Sequence, residues 1–500
     1  MTALKTSAYA ALTERFRPIA AIRDAIAMLS WDRQTMMPSG AAEARAEQIA
    51  TLSVLKHEMM TMPEVGDLIA AAGEEELGEW PSANLREINR RYRHATALSS
   101  SLVEGLSRAC AACETAWLSA RPANDFASVV KPLGSVLDLT RQSADAKAEV
   151  LDKTPYDALL DQFEPDSETE RIDELFSRLE PALRALLPRV LDHQAKVSRE
   201  RRAVAIPEDR QRALGLAIMR ALGFELARGR LDTSAHPFSG GVPDDIRITT
   251  RYVETDWEFS LMAVIHETGH ALYEGGLPID WRGQPVGDAR GMTLHESQSL
   301  LMEMQMSRSR PFFVFAAPLI RKTFGVDGPD WHPDALFHSA TRVAPRLIRI
   351  ESDEVTYPLH IILRYRLERA MLAGSLEPAE LPNAWNDAMQ STLGIVPGDD
   401  KTGCMQDIHW YGGSIGYFPT YTLGALGAAQ LFRAVRAAIP DIDGRIARGQ
   451  FCDLLKWLRT HVHSWGSYHD TDSLMENATG SALSEIAFLD HLENRYLDMK

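Results

Sequence analysis

His266-Glu267-Thr268-Gly269-His270 sets two imidazoles four residues apart, with a carboxylate beside the first. Each residue of an α-helix advances about 100°, so residues four apart share a face and both rings can reach one ion. Glu267 then lies beside the ion, where it can take a proton from a water that the metal polarises. The implied chemistry is hydrolysis by metal-activated water. A catalytic site of this kind needs a third protein ligand and one position left open. Glu296, in His295-Glu296-Ser297-Gln298-Ser299, is the best candidate, on a stretch from Leu294 to Met306 that reads as one helix. Glu303 on the same stretch is the alternative, and Thr293 with Glu296 is also spaced as a capping box.

The helix that must carry the two histidines is marked at both ends. Thr255 with Glu258 is spaced as a capping box, Leu261, Met262, Val264 and Ile265 supply apolar burial, and Gly275-Gly276 with Pro278 stops it. Most of the remaining chain also reads as amphipathic helix. In Ser167 to Leu191, apolar residues fall at Ile172, Leu175, Phe176, Leu179, Leu183, Leu186, Leu187 and Val190, with Ser167 and Glu170 as a capping box. Similar stretches run over Ala41 to Leu55, Asn84 to Ala112, Ser135 to Leu151, Asp209 to Leu222, Pro358 to Ala373 and Thr422 to Ala438. Asp245 to Val253 differs, alternating polar and β-branched residues after a Gly-rich turn, which predicts a strand. Asp245, Arg247 and Thr249 would share one face, with the backbone edge free to pair with an extended peptide. The predicted fold is mainly α with a small β-sheet near the middle. Residues 1–500 are taken as one catalytic unit; the length also allows two helical lobes.

A formal net charge of −16 argues against nucleic acid or an anionic membrane as partner. Four cysteines are too few for a disulfide-stapled secreted scaffold and fit a reducing compartment. Cys110 and Cys113 form a CxxC without a second pair to complete four ligands, so they read as small core residues. Met1 to Ala20, with Lys5, Glu14, Arg15 and Arg17, lacks the layout of a secretory signal, and the apolar run Pro311 to Ile320 is about half a membrane helix. The expectation is a soluble, cytoplasmic protein.

Several blocks together resemble the thermostable carboxypeptidase, or carboxypeptidase Taq, family of metallocarboxypeptidases. In order they are Trp31-Asp32 with Met37-Pro38, His236-Pro237-Phe238, Asp245-Ile246-Arg247-Ile248-Thr249 and the His266 to His270 motif. His295-Glu296-Ser297-Gln298, Ile348 to Asp353 and Gly403 to Trp410 follow. Ser352 stands where the family pattern has alanine. The resemblance implies a large helical zincin-type fold, with a deep substrate groove and the sheet beside the active-site helix. It also implies a homodimer, His266, His270 and Glu296 as metal ligands, and Glu267 as base. Zinc suits that ligand set, one ion per chain, and cobalt suits it too.

Peptide hydrolysis also needs donors for a tetrahedral oxyanion. His409, Tyr417 and Tyr421 are the candidates, in a loop whose glycines allow tight turns, though such aromatic residues can equally pack beneath it. A carboxypeptidase must grip a C-terminal carboxylate, which a planar guanidinium does with two parallel bonds. Arg247 and Arg349 are the candidates, and the alternative for each is an ion pair with a neighbour such as Asp245 or Asp353. His236 could line the groove, while His295 points about 100° from Glu296 and is expected to support the ligands from behind. The function read here is release of C-terminal residues from peptides. An oligopeptidase cutting internal bonds is the rival.

Overall fold

A computed structural model describes residues 7–197 and 204–498; the start of the N-terminal stretch discussed above, including Lys5, lies outside them. By contact density the described chain forms two compact units. The first comprises residues up to Thr96, residues 204 to Ala340 and Leu431–Ala482. The second comprises Ala97 to residue 197, Thr341–Gln430 and Leu483 onward.

The first unit begins with helices α1 (Ala8–Thr35), α2 (Ala42–Thr61), α3 (Pro63–Gly73) and α4 (Glu79–Thr96). The second takes over with α5 (Ser100–Ala123), α6 (Ala127–Leu151), α7 (Pro155–Leu160) and α8 (Thr169–Val197). A single helix from Asn84 to Ala112 is therefore not formed. Apolar spacing runs on through the break, but Ser99 Oγ accepts from Leu102 N–H at 3.2 Å and starts a new helix. The predicted capping box on α8 is also displaced: Asp157 on α7 accepts from Thr169 N–H at 2.7 Å.

The chain returns to the first unit with α9 (Glu208–Ala221), strands β1 (Gly229–Thr233), β2 (Ser239–Val242) and β3 (Asp245–Thr250), and α10 (Trp257–Glu274). α11 (Met292–Leu300), α12 (Arg310–Phe324) and α13 (Pro333–Ala340) complete this passage. α14 (Tyr357–Leu372), α15 (Leu381–Leu393) and the start of α16 (Pro419–Ala438) belong to the second unit. α17 (Ile442–Ala447), α18 (Cys452–His461) and α19 (Thr471–Thr479) lie in the first, and α20 (Ile486–Glu493) in the second.

The sheet order is β1-β3-β2, with β1 parallel and β2 antiparallel to β3. Leu231 faces Ile248 across one ladder, and Gly240 faces Arg247 across the other. Both edges of β3 are thus hydrogen-bonded, so the free edge expected there belongs to β1 and β2 instead. Residues 239–242 read as a turn because glycine carries no strand signal. Ile246 and Ile248 pack with Leu231, Met219 of α9, and Val264 and Ala271 of α10. Each of these side chains other than Ala271 contributes about 1.5–3 kcal/mol by leaving water, which seats the sheet against the helix bearing the two histidines. Among the described residues no helix is long and apolar enough to cross a membrane.

Candidate metal centre

α10 is buried along most of its length because its apolar positions go most of the way round it. Trp257 packs at its start against Phe324 and Trp331, with centroids 5.2 and 5.8 Å away. The cap is Asp256 rather than Thr255: its carboxylate accepts from Phe259 N–H at 3.2 Å, while Glu258 accepts from Ser339 Oγ at 3.0 Å. Between the two histidines, Gly269 brings the next element in. A Cβ there would lie 2.5 Å from the Gln298 carbonyl oxygen and 2.6 Å from Ser299 Cα, so only glycine lets the α11 backbone come this close.

α11 starts at Met292 after Gly291, so Glu296 lies inside the helix and is free of any capping task. The expected continuous α-helix to Met306 is interrupted. Leu301–Ser307 is wound as a π-helix, and Arg308 N–H donates to the Glu303 carbonyl five residues back at 3.2 Å.

These elements aim three side chains at one point. His266 Nε2 lies 3.8 Å and His270 Nε2 3.4 Å from separate oxygens of Glu296. The candidate ligand atoms all lie within 4.8 Å of one another, the one such group among the described residues. Bonds of about 2.0–2.2 Å to a tetrahedral ion put ligand atoms about 3.4 Å apart, so the set fits a divalent metal with little movement. The ring nitrogens facing away are engaged. Glu303 Oε2 lies 2.9 Å from His266 Nδ1, and its other oxygen accepts from Arg308 Nη2 at 2.7 Å. His270 Nδ1 lies 2.6 Å from His295 Nδ1, and His295 Nε2 lies 2.8 Å from Glu274. With Glu274 and Glu303 accepting, each chain leaves the Nε2 lone pair of its histidine aimed at Glu296 whenever that ring is neutral. Glu303 therefore stands behind His266, and His295 supports His270 as its place in the sequence suggested.

Burial pushes His270 down to about 4, keeping the ring neutral as a ligand must be. Burial also pushes the Glu267 acid up to about 7. Burial acts on Glu296 the same way, but the charged form of His266 holds it below the ordinary carboxylate range. Burial opposes that charge, while Glu296 and Glu303 push His266 up to about 10, so metal binding at His266 must displace a proton.

In the second unit, the loop preceding α16 gathers the residues considered for the oxyanion. His409 Nε2 lies 3.2 Å from the Tyr421 hydroxyl, and the Tyr417 ring lies 5.4 Å from His409 and 5.2 Å from Tyr421. Arg349 joins them, its guanidinium 4.6 Å over the Tyr421 ring. Its ion-pair partner is Asp407 at 2.9 Å, with Arg364 on the other Asp407 oxygen at 2.7 Å. Asp353 instead closes the turn that leads into α14, accepting from Val355 and Thr356 N–H at 3.0 Å each. One carboxylate thus serves two guanidiniums, leaving a net positive charge beside Tyr421. Burial opposes the charge on Asp407, but the two arginines hold its acid far below the usual range.

In the first unit, Arg247 forms a fork-to-fork pair with Asp245, at 3.0 and 2.7 Å, and lies 4.4 Å over the Trp31 ring. That is the ion pair weighed above, and it explains the Trp31 block. His236 is exposed, and its carbonyl accepts from Ser234 Oγ. Cys110 and Cys113, in the second unit, are free thiols pushed by burial to about 11 and about 12. Glu274, Arg308 and Arg364 were not picked out from sequence. Glu274 was findable, being one helical turn beyond His270 and on its face.

The family model described as carboxypeptidase Taq (M32) metallopeptidase matches residues 11–496. Thermostable carboxypeptidase 1 of Thermus thermophilus is 39% identical, covering 98% of this chain and 98% of its own. Its Pyrococcus furiosus namesake is 35% identical over 97% of each. Among solved structures, Trypanosoma cruzi metallocarboxypeptidase 1 superposes with a TM-score of 0.95 at 38% identity, covering 99% of this chain and all of that one. A Pyrococcus furiosus carboxypeptidase gives 0.94 at 34% identity, over 99% of this chain and 100% of that one.

Proposed function

Since the chain belongs to the carboxypeptidase Taq (M32) metallopeptidase family and is a metal-dependent carboxypeptidase, we propose that His266, His270 and Glu296 hold its metal and that Glu267 is the base. Kinship with carboxypeptidases also favours C-terminal release over internal cleavage. The observation that supports the assignment is the convergence of both Nε2 atoms on Glu296, with the opposite ring nitrogens engaged by Glu303 and His295. Two imidazoles and a carboxylate favour zinc, one ion per chain, and also accept cobalt.

When bound, such an ion supplies Lewis acidity, polarising the scissile carbonyl and making water acidic. Glu267 takes the proton of the attacking water and returns it to the departing amine. His409 with Tyr417 or Tyr421 supplies N–H and O–H donors to the oxyanion. Arg349 grips the substrate carboxylate, supported by the unbalanced positive charge around Asp407; Arg247 and His236 are the further substrate-binding candidates. A cytoplasmic homodimer is the working form in this reading. The free thiols support the compartment and the family resemblance supports the dimer.

The test compares the parent with Glu267→Gln on a peptide with a free C-terminus and on its amidated twin, with metal content measured in parallel. Both proteins should hold one zinc per chain, and the variant should lose about 10²–10⁴ in rate. The parent should leave the amidated twin uncut. A variant as fast as the parent, or one stripped of metal, would remove Glu267 from its role.

A further inference from the structure

The loop that carries His409 and Tyr417 is fastened from below by one acid with no part in the chemistry above. Glu368, on α14, is fully buried. Its Oε2 accepts from the Trp410 indole N–H at 3.1 Å, and its Oε1 accepts from Gly416 N–H at 3.3 Å. The Tyr156 hydroxyl of α7 also meets Oε1. Trp410 directly follows His409, and Gly416 directly precedes Tyr417. The acid therefore grips both ends of the segment between these two side chains. Gly416 is held from its other side as well: it has φ +95°, and a Cβ there would lie 3.0 Å from Leu160 N.

Among the described residues no countercharge explains why an acid is buried here. Arg364 on the same helix is committed to Asp407 at 2.7 Å, and Arg369 to Asp173 at 2.7 Å. Tyr365 also donates to Asp173, at 2.8 Å. Burial accordingly pushes the Glu368 acid up to about 8, against the pull of the three donors. What a carboxyl group offers here is two acceptor oxygens for two donors, Trp410 Nε1–H and Gly416 N–H, that can never act as acceptors. Tyr156 is adaptable, since its oxygen can also accept the acid proton. Glutamine has the same size but only one acceptor oxygen. Whichever way it turns, its NH2 faces an N–H, and one donor is left buried and unpaired.

We propose that Glu368 is a positioning residue: its two carboxyl oxygens hold Trp410 and Gly416, and through them set His409 and Tyr417 for turnover. The proposal rests on the reading of His409 and Tyr417 as reaction residues, so the test separates the two.

Hydrogen exchange over residues 409–417 and steady-state kinetics are measured on metal-loaded parent, Glu368→Gln, Glu368→Gln with Trp410→Phe, Trp410→Phe alone and His409→Ala. Glu368→Gln should speed exchange in the loop and lower kcat by about ten- to a hundredfold, with metal content unchanged. Removing the indole N–H lets the glutamine turn its oxygen to Gly416. The double variant should therefore be less impaired than the two single losses combined, whereas general destabilisation would simply add. Parental exchange in Glu368→Gln, or purely additive losses, would overturn the proposal. Faster loop exchange beside a fully active His409→Ala would leave the positioning intact and overturn the catalytic reading of the loop.

Discussion

Glu303→Gln tests the ligand geometry most directly. Glu303 Oε2 meets His266 Nδ1 at 2.9 Å, and Oε1 meets Arg308 Nη2 at 2.7 Å. Glutamine cannot serve both. If its oxygen faces His266, its NH2 opposes the Arg308 guanidinium. If it turns over, its NH2 needs an acceptor at Nδ1, which moves the ring proton to Nε2, the atom proposed to bind metal. Hydrogen bonds to charged groups are worth about 1.5–3 kcal/mol. Loss of an outer partner of a metal-bound histidine typically costs 10- to 100-fold in affinity, about 1.4–2.8 kcal/mol. The two routes agree, so the zinc Kd of Glu303→Gln, measured by competition with a chromophoric chelator, should rise by one to two powers of ten. A Kd within about twofold of the parent would refute the argument. So would loss of all metal in Glu303→Gln alongside retention in Glu296→Gln, because Glu303 would then be the ligand.

Gly269→Ala forces a methyl group against the Gln298 carbonyl and Ser299 Cα, so α11 must move away. The cost should be about 1–3 kcal/mol of stability or more, with weaker zinc binding, read by thermal unfolding and the same competition assay; parental values in both would contradict the close approach. Glu368 gives a pH dependence whose sign follows from its shift. Its acid lies at about 8 when folded, against an ordinary 4.5, so the fold holds this proton more tightly than the unfolded chain. That stability is complete below about pH 4.5 and is lost as the pH rises toward 8. Relative to Glu368→Gln, the parent should lose up to roughly 1.4 kcal/mol per pH unit across that range, and parallel unfolding profiles would disprove it.

The helices and the histidine pair were legible because periodicity reports which face of an element is buried. Periodicity does not report what meets that face. Arg349 illustrates the gap: neighbours in sequence suggested Asp353, whereas the partner is Asp407. Asp353 was committed to backbone N–H groups at the start of α14, a task its position just before a helix could have suggested. The β1 and β2 pairings escaped notice for a related reason. Gly240 and Gly241 carry no side-chain pattern, so β2, which closes one edge of β3, looked like a turn, and β1 is too short to show a period of its own. The break between α4 and α5 left one local trace, Ser99, which continuous apolar spacing obscured. Glu303 was visible as a carboxylate near the candidate metal site, but its task depended on which ring nitrogen it faced.

The π-wound segment Leu301–Ser307 makes chain length part of the candidate metal site. A substitution within it changes one side chain and leaves the winding to its neighbours. Deleting a residue between Glu296 and Glu303 is different in kind: the segment could relax to ordinary α-helix, with the two carboxylates six residues apart instead of seven. Because a π turn advances less per residue than the ~100° of an α-helix, the change turns Glu303 by less than one full α step, yet enough to shift its carboxylate relative to His266. Length here thus acts on the candidate site independently of residue identity, and a single codon lost from this stretch should weaken the Glu303–His266 contact without replacing any of the proposed ligands.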